Sequence, residues 1–99
     1  MARHERLDTW FLYDVLNAVA NRSRGRRRTD AFLAAERLHS ASEAPAFSAS
    51  RWLSEFPQSE YLAKAFGVDY IAWIDMTSAE RRDVIMQHAA RLGVPRGPR

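Results

Sequence analysis

The chain contains no cysteine, and lysine occurs once among its 15 Lys and Arg side chains. The absence of cysteine excludes disulfides, thiolate metal ligands and cysteine nucleophiles. No apolar run approaches the roughly 20 residues that a membrane-spanning helix needs. The first six residues carry charges of both signs, and no apolar segment follows them. We therefore expect no membrane association and no signal peptide, and we assign the chain to the cytoplasm.

Glycine and proline are also scarce, at four each among 99 residues, and no stretch alternates apolar with polar residues. Hairpin signals of the Asn-Gly or Asp-Gly type are missing, so nothing in the sequence favours strands. Apolar residues at 46% and charged residues at 27% are typical of a globular protein. We expect an all-α fold, a compact bundle of five or six short helices in a single domain over residues 1–95, with a flexible tail at 96–99.

Helical spacing of apolar residues and local capping signals predict the individual helices. The first extends from Leu7 to about Asn21, and the second begins after a cap at Thr29 and ends near His39. A connector without periodicity follows. Four more helices are predicted over 50–56 (stopped by Pro57), 60–66 (capped by Ser59), 70–76 (capped by Asp69) and 77–93, the last opening with the capping box Thr77-Ser-Ala-Glu80.

Charge is distributed unevenly along the chain. Residues 1–28 carry seven arginines against three acids, residues 29–76 carry three cations against seven acids, and residues 77–99 carry five arginines against two acids. Arginine favours flat, bidentate contacts with phosphate or carboxylate groups. The codon usage of a GC-rich genome is the plain alternative explanation for so much arginine.

The strongest electrostatic feature is the segment between the first two predicted helices, which holds Arg22, Arg24, Arg26, Arg27 and Arg28. Five guanidinium groups so close together repel one another, and an interhelical loop cannot bury them unpaired. They are either solvated beside the protein's own acidic middle or face an external anion, such as nucleic-acid phosphate or an acidic protein surface. We predict phosphate contacts that do not read sequence. In the last helix, the candidates for the same contacts are Arg81, Arg82 and Arg91.

Residues 61–76 resemble the helix-turn-helix of phage-repressor-like DNA-binding proteins. Ala63 stands where that family has a small residue between crossing helices, and Gly67 stands where its turn needs a left-handed residue. The resemblance covers about 16 of the 99 residues and implies a corner of two helices that binds DNA. The buried apolar positions of the family correspond to Val68, Trp73 and Met76.

The second helix of this corner lacks the residues that usually read bases. The positions that would face the DNA groove are Asp69, Tyr70, Ile71, Ile74 and Asp75. None of them is an arginine, lysine, asparagine or glutamine, and the two aspartates repel phosphate. The corner is therefore a DNA reader, a purely structural turn, or a surface for a protein partner or a second copy of the chain. The residues of the predicted protein interface are Trp52, Asp69, Tyr70, Ile71, Ile74 and Asp75.

Nothing in the sequence favours catalysis. His4, His39 and His88 lie far apart, and no histidine pair has the i, i+4 spacing of a helical metal site. We interpret His88, on the apolar side of the last helix, as a hydrogen-bonded core histidine. Phosphate-binding glycine loops, nucleophile elbows and metalloprotease motifs do not occur. We predict a protein that is not an enzyme and has no catalytic residues, metal or cofactor.

Two functional hypotheses remain. The first is a small nucleic-acid-associated regulator or accessory protein that holds phosphate through its arginine-rich segment. The second is a protein-interaction module with a hydrophobic and acidic central surface, such as an inhibitor or adaptor of the kind that phages and mobile elements use to block a host protein. A single cationic face that joins the arginine-rich segment to the last helix favours the first hypothesis, and acids interspersed on that face count against it.

Overall fold

A computed structural model of the chain describes residues 9–55 and 60–95. These two ranges contain six helices and no strand, which confirms the all-α class. No helix within them is long and apolar enough to cross a membrane. In chain order the helices are α1 (Thr9–Asn21), α2 (Gly25–Ala41), α3 (Ala49–Glu55), α4 (Glu60–Ala65), α5 (Tyr70–Asp75) and α6 (Ser78–Leu92).

Several expectations concern residues outside the described ranges and stay predictions. They are the helix start at Leu7, the position of His4, the cap at Ser59, the helix stop at Phe56 and Pro57, and the tail at 96–99.

Helix α1 lies at the centre of the bundle, where it packs against α2, α4 and α6. Its apolar residues form one broad stripe, because they recur at i, i+3 and i+4. Tyr13, near the start of α1, contacts His39, near the end of α2, with ring centroids 6.0 Å apart. Helices α1 and α2 are therefore antiparallel. The buried side chains of α1 are Phe11, Leu12, Val15, Leu16, Val19 and Ala20.

The start of α2 corrects one expectation. The helix begins at Gly25, after Arg24 in an extended conformation, and Thr29 is not its cap. Gly25 reverses the chain with a φ of 62°, which costs little without a side chain, and arginine is a good helix former. The predicted loop therefore shortens to residues 22–24, and the arginines at 26–28 occupy the first turn of α2.

The corner between α4 and α5 has the local features that the sequence predicts. Ala63 is fully buried, and its carbonyl accepts a hydrogen bond from the Val68 backbone at 2.9 Å. Gly67 has a φ of 69°. Trp73 is fully buried, while Val68 and Met76 pack against the core from partly buried positions. The wider resemblance to helix-turn-helix proteins stays a prediction.

Helix α6 begins and ends where the sequence predicts. The Glu80 backbone N–H donates to Thr77 Oγ1 at 3.1 Å, and the Thr77 backbone N–H donates to Glu80 Oε1 at 2.8 Å. This confirms the capping box, in which each residue satisfies a free amide of the other. The helix ends at Gly93, which adopts the left-handed conformation with a φ of 73°.

Candidate nucleic-acid interface

The five arginines at the α1–α2 turn are all exposed. Arg27 Nε donates to the Ala65 carbonyl of α4 at 3.1 Å, and the Arg28 guanidinium lies 5.4 Å from the centroid of the Phe32 ring. Neither contact neutralises a charge, because the carbonyl and the ring have no net charge. The turn therefore presents strong positive charge to its surroundings.

A pocket of about 210 Å³ opens beside this turn. The end of α1, the start of α2 and the last turns of α6 form its walls. Three of its seven lining residues are arginines, and none is an acid. No ion pair joins these arginines to another residue in the described part of the chain. The lining residues are Val19, Arg22, Ser23, Arg27, His88, Arg91 and Leu92.

His88 forms part of the pocket wall and is held in one tautomer. Its Nδ1 lies 3.0 Å from the Val84 carbonyl, which only accepts hydrogen bonds, so Nδ1 carries the proton. Nε2 then accepts a hydrogen bond from Arg91 Nη2 at 3.3 Å. The Phe66 ring packs edge-on against the imidazole, with centroids 5.1 Å apart. These contacts confirm that His88 is a hydrogen-bonded histidine packed against the core, and they also place it at a cationic pocket.

The surroundings of His88 favour the neutral imidazole. Burial lowers the pKa of His88 most strongly, the hydrogen bond to the Val84 carbonyl raises it, and the positive charges of Arg91 and Arg27 lower it further. The net shift is downward from 6.5. The positive charge of the pocket at neutral pH therefore comes from its arginines.

Arg81 does not belong to the cationic surface, so the prediction that it contacts phosphate is wrong. Its side chain is 3% exposed. Its guanidinium donates to the carbonyls of Trp73 at 2.9 Å, Leu53 at 3.0 Å and Ile74 at 3.1 Å. Burial lowers the pKa of Arg81 and Glu80 raises it, but a guanidinium stays protonated in proteins. Arg81 is a structural residue that links α3, α5 and α6.

The other two arginines of α6 lie on different sides of that helix. Nine residues separate Arg82 from Arg91, which corresponds to a rotation of about 180° and a rise of about 13–14 Å. Arg91 lines the pocket, so Arg82 faces away from it. The structure therefore places Arg91 at this pocket and Arg82 away from it, and phosphate contact by either residue stays a prediction.

The predicted protein interface is assembled only in part. Ile71 and Ile74 are 65% and 39% exposed, and Asp75 lies exposed beside them at the end of α5. Asp69 is also exposed, but its Oδ2 accepts a hydrogen bond from the Ala72 backbone at 3.2 Å and caps α5. We call Asp69, Ile71, Ile74 and Asp75 the α5 surface.

The other two predicted interface residues contribute less to this surface. Trp52 and Tyr70 are half-buried and pack against the hydrophobic core. Their apolar area is therefore largely used within the fold, and the α5 surface rests on its two isoleucines.

The sequence alone did not show the pocket. Arg91 follows His88 by three residues, and this spacing places both on one side of a helix. That local signal was available, but nothing in the sequence indicates that the ends of α1 and α6 meet. The convergence of Arg22 and Arg27 on Arg91 is a consequence of tertiary packing.

Comparison with known proteins finds no matching family model, no similar curated protein and no similar solved structure. The residues that the structure describes also contain no group of three or more side chains arranged to hold a metal ion. The fold and the site together define an all-α domain with a cationic surface pocket, and any function must be argued from its own residues.

Proposed function

We propose that this chain is a small, non-enzymatic, nucleic-acid-associated regulator or accessory protein of the cytoplasm. The observation that supports it most directly is the convergence of Arg22, Arg27 and Arg91 on one pocket that no acid lines. The remaining arginines of the α1–α2 turn are exposed and extend this surface. Guanidinium groups bind phosphate through bidentate hydrogen bonds, and such contacts supply affinity without sequence preference.

The energetics of α2 also support the proposal. Its first turn carries three arginines, although the positive end of a helix dipole disfavours cations by about 0.3–1 kcal/mol each. Its N-cap residue, Arg24, makes no side-chain hydrogen bond to the free amides. The positive charge of these arginines is unfavourable at this end of the helix, whereas a bound polyanion turns the same charge into favourable contacts.

The proposal predicts that two pocket arginines contribute more to binding than two arbitrary cations. We expect R22Q/R91Q to lower affinity for a labelled DNA duplex or RNA hairpin by at least about tenfold, because two phosphate contacts are lost. The slope of log affinity against log salt concentration becomes shallower by about 2. Fluorescence anisotropy at several salt concentrations measures both quantities.

The matched control is R37Q/K64Q, which removes the same net charge. Neither residue lines the pocket, and Lys64 pairs with Glu60 at 3.4 Å in an exposed position. Arg27 is left intact, because its bond to the Ala65 carbonyl ties α2 to α4. If both double variants lower the affinity for nucleic acid equally, binding depends on net charge alone and the pocket has no special role. A wild-type protein that binds neither nucleic acid at low salt overturns the proposal.

A stability cost at the N-terminus of α2 is testable on its own. We expect Arg24→Ser to raise the free energy of unfolding by about 1 kcal/mol, since Arg24 has the extended backbone of a cap residue and serine supplies the missing acceptor. The same change weakens nucleic-acid binding by removing a cation. Urea denaturation and anisotropy measure the two effects. Arg24→Gln serves as the control, since it removes the charge without a short capping oxygen; equal stabilisation by both variants contradicts the capping explanation.

The α5 surface supports a second candidate function, the binding of a protein partner by an inhibitor or adaptor, or of a second copy in a homodimer. The observation that favours it is Ile71, which is 65% exposed on a helix whose only buried residue is Trp73. Flanking carboxylates at Asp69 and Asp75 would give such a contact charge selectivity. The absence of nucleic-acid binding by the wild-type protein makes this the leading candidate.

A further inference from the structure

The pocket is built more rigidly than a set of surface arginines. Arg27 is held through Nε by the Ala65 carbonyl, and Arg91 is held through Nη2 by His88 Nε2. Each of these guanidinium groups keeps further N–H donors, because the group has five in total. Part of the conformational entropy that long side chains lose on binding has therefore already been lost in the fold.

The size and lining of the pocket limit what it accommodates. Sites for drug-sized molecules start at about 300 Å³, so a pocket of about 210 Å³ holds a phosphate with part of its sugar and leaves no room for a whole nucleotide. Val19 and Leu92 supply the apolar part of the lining, which suits the carbon atoms of a sugar. Three guanidinium groups supply the counter-charge.

The charge of the pocket favours one kind of phosphate. A phosphodiester within a strand carries one negative charge and continues on both sides, so it suits an open surface. A phosphomonoester carries close to two negative charges at neutral pH, has three free oxygens and continues on one side only. It can therefore enter a surface depression with its oxygens first, toward the three arginines.

We propose that the pocket of Arg22, Arg27, His88 and Arg91 binds a phosphomonoester, the terminal phosphate of a nucleic-acid strand or of a free nucleotide. The strand form of this inference rests on the proposed function, in which the exposed arginines outside the pocket hold the continuing backbone. The protein is then selective for phosphorylated ends.

His88 gives this site a dependence on pH. Nδ1–H is occupied by the Val84 carbonyl, so the atom that gains a proton is Nε2, at the pocket wall. The charged groups that face His88 are Arg91 on its own helix, Arg27 of α2 and Arg22 across the pocket. Phe66, which directly follows α4, contributes only its uncharged ring. These cations oppose protonation in the empty pocket. A bound dianion reverses that field, so binding takes up a proton at Nε2. Nε2–H then donates to a phosphate oxygen, and the bond from Arg91 Nη2 to Nε2 is replaced by a bond from Arg91 Nη2 to the phosphate.

The first test compares a 3′-labelled oligonucleotide that carries a 5′-phosphate with the same oligonucleotide ending in a 5′-hydroxyl. We expect the wild-type protein to prefer the phosphorylated end by at least about tenfold in affinity. R91Q removes most of this preference, and R37Q, which changes a cation outside the pocket, retains it. Competition with adenosine monophosphate and with inorganic phosphate distinguishes the two sources of the phosphate, a strand end and a free nucleotide. A free monoester that competes as well as the phosphorylated strand identifies a nucleotide site, and one that competes poorly identifies a strand end.

The outcomes separate this inference from the proposed function. Equal affinity for both ends, with R22Q/R91Q still weakening both, overturns the inference and leaves nucleic-acid binding in place. Binding of the free monoester without binding of either strand overturns the proposed function and supports the pocket assignment. Binding of no phosphate compound overturns both.

The second test isolates His88. We expect the preference for the phosphorylated end to rise by about threefold between about pH 8 and about pH 6 in the wild-type protein relative to H88Q, which has no titrating ring. The ligand's own ionisation, with a pKa of about 6, lowers its charge over the same range in both proteins and cancels in this ratio. Identical pH profiles for wild type and H88Q overturn the role of His88.

Discussion

Arg81→Met lowers the free energy of unfolding by about 3–4 kcal/mol, because it removes the guanidinium group that donates to three backbone carbonyls. The bonds to the Trp73 and Leu53 carbonyls are buried, and the bond to the Ile74 carbonyl is partly buried. A buried acceptor left without a partner costs about 1–3 kcal/mol. Methionine recovers some packing and removes a buried charge, which offsets part of the loss.

The effect is large for a domain of this size, whose total stability is expected at about 5–10 kcal/mol. Urea denaturation followed by circular dichroism gives the free energy of unfolding. Arg81→Lys restores the charge but not the planar fork of donors, so we expect it to recover less than half of the loss. Arg37→Met, at an exposed position, is the control and changes stability by no more than about 0.5 kcal/mol. A loss below about 1 kcal/mol for Arg81→Met shows that water replaces the guanidinium at these carbonyls.

The sequence predicted what depends on neighbours along the chain. The stripe of α1, the capping box of Thr77 and Glu80, and the left-handed Gly67 and Gly93 all follow from residues within one or two helical turns. The exposure of the arginines at the α1–α2 turn was predictable for the same reason, since like charges in a short segment remain in water.

The sequence failed where two local signals compete. Thr29 followed by Asp30 reads as a helix start, but the chain reverses four residues earlier at Gly25. Asp30 is then 8% exposed within α2, and its Oδ2 has no hydrogen-bond partner in the described part of the chain. The positive φ of Gly25 determines where α2 begins, and the capping signal at Thr29 does not, because the chain has already turned into the direction of α2 at Gly25.

Arg81 shows how a structural residue is mistaken for a functional one. Its partners are 7, 8 and 28 positions away and are all backbone carbonyls, which the sequence does not mark. One signal was nevertheless present: Arg81 precedes the buried Ile85 and Ala89 by four and eight residues, so it continues the apolar stripe of α6. An arginine on the apolar stripe of a correctly predicted helix is expected to be buried, with its N–H donors satisfied by partners inside the protein.

Trp73→Ala has the second large effect, a loss of about 3–5 kcal/mol in the free energy of unfolding. Trp73 is fully buried and is the largest such side chain among the described residues. It stacks on Phe66 with ring centroids 6.0 Å apart, and it is the only buried residue of α5. Its removal therefore opens a cavity and also releases α5 from the bundle.

Trp73→Phe separates the two contributions of this side chain. The indole Nε1–H is buried without a hydrogen-bond partner in the described ranges, and phenylalanine removes that unsatisfied donor while keeping most of the ring contact. We expect a loss of only about 1–2 kcal/mol. Denaturation curves provide the comparison, and equal losses for both variants show that the indole fits its site through contacts that a phenyl ring does not make.

Arg81 and Trp73 hold the same short helix, so their effects are not independent. The Arg81 guanidinium lies 5.9 Å from the centroid of the Trp73 ring and also binds the carbonyls at the end of α5. In a double-mutant cycle, W73A/R81M loses less stability than the two single losses together, by about 1–2 kcal/mol, because α5 can be released only once. Faster amide hydrogen exchange confined to α5 in each single variant supports this coupling. Additive losses contradict it and mean that each residue stabilises a different part of the bundle.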